Sequence, residues 1–205
     1  IVGGNHETSQ RIVDAIFRAF ERDLPERVAA AGPGTVGGLL IAERLPSGGW
    51  KAHYEVHGGG EGARFDRAGS DATRVHLVNT MNTPIEVIEA NFSIQVERQQ
   101  LRPDSGGAGQ FHGGDGFVRE YKMLADNMVL TTCVNRITVP PHGICGGEDG
   151  EPFALSLVRA DGTHHVLPGR CNESLGRGDA VTIETSGGGG FGPPSEGGRA
   201  GNSQV

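Results

Sequence analysis

Two short stretches hold residue types that could do nucleophilic chemistry. "RPDSGGAG" sets Asp104 and Ser105 ahead of paired glycines, and "KAHYEVHGGG" carries His53 and His57, in a chain that opens on "IVGGN". A serine nucleophile, a histidine base and an orienting carboxylate make an acyl-transfer triad. Ser105 would attack, His53 or His57 would take its proton, and Asp104 or Asp71 would hold the imidazole. Placement argues against this reading. One hundred residues follow Ser105, whereas a double-barrel serine protease is nearly complete at its nucleophile, and neither histidine stands in an Ala-Ala-His-Cys setting. The Asp-Ser-Gly-Gly run reads instead as a turn whose polar side chains cap local backbone groups.

Metal chemistry is the next class. His53 and His57 share one face of a strand, with His76 a third candidate. Positions four apart along a strand lie about 13 Å apart at roughly 3.3 Å per residue, too far for one ion to take both. His164 and His165 point to opposite faces, and His6, His112 and His142 stand alone, so no complete metal site is expected. "HGGGEGARFDRAGSD" has the spacing of a loose dinucleotide loop at Gly58, Gly60 and Ala63, but turn formers follow where a helix must open. What remains is a Gly-lined wall carrying Arg64, or a β-bulge with a wide turn. "VHLVNTMNTPIEVIE" is the most polar corner: His76, Asn79, Asn82 and Glu86 surround Pro84, with amides able to fix a substrate carbonyl or to satisfy their own turn.

The elements that must position these residues follow from periodicity. "ETSQRIVDAIFRAFERDLPERVAA" predicts one long amino-terminal helix over 7–30, with Ile12, Ile16, Phe20 and Leu24 recurring every fourth residue as its packing stripe. Strands are expected near 35–43, 50–57, 73–79, 85–91, 93–101, 116–123, 127–134, 153–159, 163–167 and 179–185. Asp161-Gly162 marks a two-residue hairpin turn. The predicted fold class is α+β, mainly β: the long helix, then many short, largely antiparallel strands joined by Gly-rich turns. Residues 1–192 form one unit, Ile1–Gly4 read as a strand end inside a larger architecture, and 193–205 read as a flexible tail.

Composition narrows the function. Glycine makes up 35 of 205 residues, about 17% against a usual 7%, without a Gly-X-Y period. A formal charge of −7 with scattered basic residues argues against nucleic acid or an anionic membrane as partner. Cys133, Cys145 and Cys171 are odd in number and widely spaced, which fits reduced thiols in a cytoplasmic protein. No apolar run is long enough to cross a bilayer.

In order along the chain, "VGGNHETSQRIVD", "YEVHGGGEGAR", "VNTMNTPIEVIE", "ERQQLRPDSGGAGQFHGGDGFVREY", "GGEDGEPF" and "ETSGGGGFG" resemble the hydantoinase B/oxoprolinase family over residues 2–192. The resemblance implies the carboxyl-terminal part of a large subunit in a hetero-oligomer. Its partners would be a hydantoinase A-like, ATP-binding subunit and the remaining amino-terminal part of the B-type subunit. It implies ATP-dependent opening of a cyclic amide or, as the alternative, ATP-dependent carboxylation of a ketone; a non-catalytic scaffold segment is the third reading. ATP and a divalent metal would be bound outside this chain, since the family's metal ligands precede the "VGGN" segment. Arg64, His76, Asn79, Asn82, Glu86, Asp104 and Ser105 are then expected to bind a small-molecule substrate or shape its channel. Two departures stand out: Gly37-Gly38 where Asn-Asn is expected, and Met81 where Arg is common.

Overall fold

A computed structural model describes residues 4–194. The expected strand end at Ile1–Gly4 lies outside them but for Gly4, which is helical, and so does most of the expected tail. Among the described residues two antiparallel sheets form the body. Strands β1 (Gly38–Arg44), β2 (Trp50–Glu55), β5 (Met128–Cys133) and β8 (Arg170–Leu175) make one, ordered β2-β1-β5-β8. Strands β3 (Ile94–Arg102), β4 (Gly116–Met123), β6 (Ala154–Val158), β7 (His164–Val166) and β9 (Ala180–Glu184) make the other, ordered β3-β4-β9-β6-β7. Alternation explains the core. Leu39, Ile41 and Leu130 from the first sheet meet Tyr121, Met123, Leu155, Leu157, Val181 and Ile183 from the second in one buried cluster. The fold is thus α+β and mainly β.

The expected single long helix over 7–30 is corrected. Helix α1 spans Gly4–Phe20 and is followed by a separate 3-10 turn at Pro25–Arg27. Pro25 explains the break. It has no N–H to donate and disfavours the helical region for its predecessor, and Leu24 accordingly sits at φ −135°, ψ 52°. The packing face is also corrected: Ile12, Ile16, Phe20 and Leu24 are 48–55% exposed. Helix α1 meets the body through Glu7, Gln10, Asp14 and Phe17. Glu7 accepts from Thr35 Oγ1, the Val36 amide and Asn135 Nδ2, and Gln10 donates to the Val75 carbonyl. Both rows recur at helical spacing, so periodicity alone could not choose between them.

Four further differences concern single segments. Residues 85–91, expected as a strand, form helix α2 (Ile85–Asn91), started by Pro84 at its cap and anchored by fully buried Ile88. Residues 73–79, also expected as a strand, are an irregular turn in which His76, like Ala72 just before it, takes left-handed backbone. Strand β8 was not expected, yet it pairs with β5 from Met128↔Leu175 to Cys133↔Arg170. The β6–β7 hairpin is present, but only Gly162 of the Asp161-Gly162 pair has positive φ. The bonds Gly162 N–H to Arg159 O and Arg159 N–H to Thr163 O make it a longer turn closed by a glycine bulge.

The glycine excess has a structural purpose. Segments around residues 60, 113, 147 and 188 lie backbone against backbone. They are tied by bonds such as Gly60 N–H to Ser186 O, Gly188 N–H to Gly114 O and Ala63 N–H to Gly189 O, each 2.9 Å. This layer holds the 61–64 segment in place against the sheets.

Candidate functional site

Strand β2 ends in a charged cluster. Glu55 Oε2 accepts from Arg119 Nη1 at 2.5 Å and from the Tyr121 hydroxyl at 2.8 Å, while Oε1 accepts the Thr83 amide at 2.8 Å. His53 Nε2 lies 3.4 Å and His57 Nε2 3.9 Å from Oε2. All five side chains are buried. His53 and His57, placed about 13 Å apart by strand geometry, converge on one carboxylate because the strand stops between them at Glu55.

The electrostatics follow from burial and pairing. Burial pushes the Glu55 carboxyl up, but the nearby His53, then His57, Arg119 and the Thr83 amide outweigh it and hold the group far below the usual carboxylate range. Burial and the Glu55 charge push the Tyr121 phenol up. Burial depresses His57 to about 4, only partly offset by Glu55 and the Gly37 carbonyl, with Arg119 and Arg74 adding to the depression. His57 is therefore neutral at pH 7. Its Nδ1 faces the Gly37 carbonyl at 2.7 Å and must carry the proton, so Nε2 and Glu55 Oε2 share the single Tyr121 proton.

A pH dependence follows. Between about 4 and the ordinary histidine value near 6.5, the unfolded chain binds a proton at His57 that the folded chain refuses. Stability therefore falls as pH drops through that window, by about 3 kcal/mol in all. Glu55 adds to the loss below its unfolded value near 4.5, because its folded form resists protonation. Urea unfolding at a series of pH values checks this: His57→Gln should lack the loss above pH 5, and a wild type equally stable at pH 7 and pH 4.5 would contradict it.

Beside this cluster lies a cleft of about 180 Å³, lined by Ala29, Ala30, Gly32, Glu61, Gly62, Arg64, Thr73, Arg74, Val75 and His76. Arg74 divides the two features. Its Nη2 donates to the Val56 carbonyl at 2.5 Å and to Asn82 Oδ1 at 2.7 Å. Burial lowers its pKa, with Glu55 opposing and Arg119 reinforcing the shift. His76 packs edge-on against Phe17 at 5.4 Å and reaches Asp14 at 3.4 Å, and Arg64 reaches Glu61 at 3.5 Å.

Of the residues expected from the sequence, Arg64 and His76 line the cleft, and Asn82 joins it through Arg74. Asn79 and Glu86 are exposed elsewhere, Glu86 in the first turn of α2. Asp104 occupies an exposed left-handed turn at φ 64°. Ser105 is 1% exposed; its hydroxyl donates to the Arg102 carbonyl and accepts the Gly116 amide, holding that turn. Gly37 has φ 56°, a conformation open to Gly and tolerated by Asn, and Met81 is fully exposed.

Sequence reasoning missed Glu55, Arg74, Arg119 and Tyr121. The signal for two of them was present. In "GFVREYKM" the inward row is Phe117, Arg119, Tyr121 and Met123, and an arginine on an apolar row needs a buried carboxylate. Among the described residues no group of three His, Cys, Asp or Glu is arranged to hold a metal ion, and no helix is long and apolar enough to cross a membrane.

Comparison with known proteins matches residues 1–194 to the family model described as hydantoinase B/oxoprolinase. An uncharacterised protein of Methanocaldococcus jannaschii is 45% identical over 94% of this chain and 33% of its own length. The 5-oxoprolinase of Dictyostelium discoideum is 32% identical over 94% of this chain and 14% of its own. The ATP-dependent caprolactamase from Pseudomonas jessenii shares the fold at a TM-score of 0.69 with 25% identity, over 86% of this chain and 32% of that one. The chain thus spans a third or less of these relatives.

Proposed function

Because the chain belongs to the hydantoinase B/oxoprolinase family, we propose that it is the part of an ATP-dependent cyclic-amide hydrolase that walls the substrate path and carries contacts to the rest of the enzyme. The observation that carries this reading is the family match across residues 1–194, joined by likeness to both a 5-oxoprolinase and a caprolactamase. Those two relatives are named for cyclic amides. The assembled enzyme works in the cytoplasm with a hydantoinase A-like, ATP-binding subunit and the remaining part of the B-type subunit, and ATP and a divalent metal bind outside this chain.

The division of labour fits the chemistry of the described residues. An unreactive amide needs activation by phosphoryl transfer from ATP, and that step needs a nucleotide cradle and a metal. Residues 4–194 instead offer a polar cleft on a rigid body and an apolar row, Ile12, Ile16, Phe20 and Leu24, of the kind that meets another protein surface.

The test is isolation of the native complex through a tag on this chain, followed by ring opening and ADP release with 5-oxoproline, hydantoin and caprolactam. The expected result is co-isolation of an ATP-binding subunit and ADP formed in step with opening of at least one ring. A complex with ATP-binding partner in hand that opens none of the three overturns the reading.

A further inference from the structure

We propose that the cleft formed by residues 29–32, 61–64 and 73–76 is a binding site for a small oxyanion, a carboxylate or phosphate group, with Arg74 as its principal counter-charge. The inference concerns binding alone and stands whether or not the enzyme opens cyclic amides.

The charge balance around Arg74 carries it. Its two hydrogen-bond acceptors, the Val56 carbonyl and Asn82 Oδ1, are both neutral. Among the described residues no carboxylate lies within ion-pair distance of it. Glu55, whose charge acts on Arg74, is already committed to Arg119, Tyr121 and the Thr83 amide. A partly buried guanidinium without a counter-ion is costly, and a bound anion removes that cost. Arg74 Nε is buried with no acceptor, which leaves one donor of a planar fork unused.

A second cation flanks it. Arg64 lines the cleft with its own Nε buried and unpartnered, and the His76 imidazole lies on the same lining. The acidic groups facing them are engaged: Glu61 holds Arg64 and the Ser70 amide, and Asp14, which faces His76, is taken by Arg136 at 2.7 Å. The size also fits. At about 30 Å³ of liquid volume per water, 180 Å³ holds one small anion and a few waters.

The test is calorimetric titration of the whole chain at pH 7 and low ionic strength with acetate, inorganic phosphate and neutral acetamide. Saturable binding of at least one anion is expected, weakened about tenfold by Arg74→Gln and by added salt, with acetamide silent. Tighter acetate identifies a carboxylate site and tighter phosphate a phosphoryl site. No saturable anion binding by the wild type overturns the proposal, as does binding that survives Arg74→Gln undiminished. Should that variant not fold, Arg64→Gln, at the partly exposed second arginine of the cleft, decides in its place. No turnover enters the measurement, so its failure is separate from failure of the hydrolase reading.

Discussion

Glu55→Gln is expected to destabilise the chain by about 3–5 kcal/mol, the range for removing one partner of a buried ion pair. The carboxylate is the common acceptor for Arg119, Tyr121 and the Thr83 amide. Glutamine keeps the shape and one carbonyl oxygen but replaces the second acceptor with a donor that faces Arg119 Nη1 and the Tyr121 hydroxyl. Arg119 is 1% exposed and has no second carboxylate among its described partners, so its charge would be left buried and unpaired. Domains of this size have about 5–15 kcal/mol in total, so the loss brings the variant close to unfolding at room temperature. Urea denaturation measures it. A double variant, Glu55→Gln with Arg119→Met, should recover part of the loss, because the apolar side chain leaves no charge behind. A single variant that loses less than about 1 kcal/mol would mean that Arg119 finds water or another acceptor.

How much of this was legible in the sequence varies with the kind of signal. Strands β5, β6 and β9 could be read because alternation there matches burial, as in Val181 and Ile183 against Thr182 and Glu184. Residues 85–91 misled because Ile85, Val87 and Ile88 carry strand propensity, while the neighbouring Pro84 and a single deep anchor settle the segment as helix. Helix α1 misled in orientation. Its most apolar row is not the one that packs, since the body offers it polar loops around Thr35, Val75 and Asn135 rather than an apolar groove.

The candidate site divides along the same line. Arg64 stood out through its Gly-lined loop and His76 through the polar corner around Pro84, and they share the cleft, whereas Asp104 and Ser105 stood out through a motif whose serine is spent on its own turn. Arg74 could not be found. It sits in an irregular turn read as a strand, and its interest lies in what fails to pair with it, a property of three dimensions. The Glu55 cluster joins residues 64 and 66 positions apart, and only the register of β2 and β4 in separate sheets brings them together.

Gly60→Ala should cost at least about 3 kcal/mol, the upper end for overpacking, because nothing around the new methyl group can rotate away. A Cβ at Gly60 would fall well inside van der Waals contact of the Gly114 carbonyl and the Gly188 amide, all of it backbone. Relief requires the 60, 114 and 188 segments to separate. That breaks the bonds Gly188 N–H to Gly114 O at 2.9 Å and Gly114 N–H to Glu61 O at 2.8 Å, and shifts the wall that carries Glu61 and Arg64. Gly49→Ala is the matched control. No atom lies within 4 Å of a Cβ there and its φ is not positive, while the entropy lost by the unfolded chain is the same in both variants. It should stay within about 0.5 kcal/mol of wild type. Thermal and urea unfolding of the pair separate close packing from glycine's general flexibility: a large loss at Gly60 with none at Gly49 assigns the glycine excess to backbone contact. Equal, small effects at both sites would mean that the layer is loose enough to admit side chains, and the 61–64 wall of the cleft would then have to be held by something other than close packing.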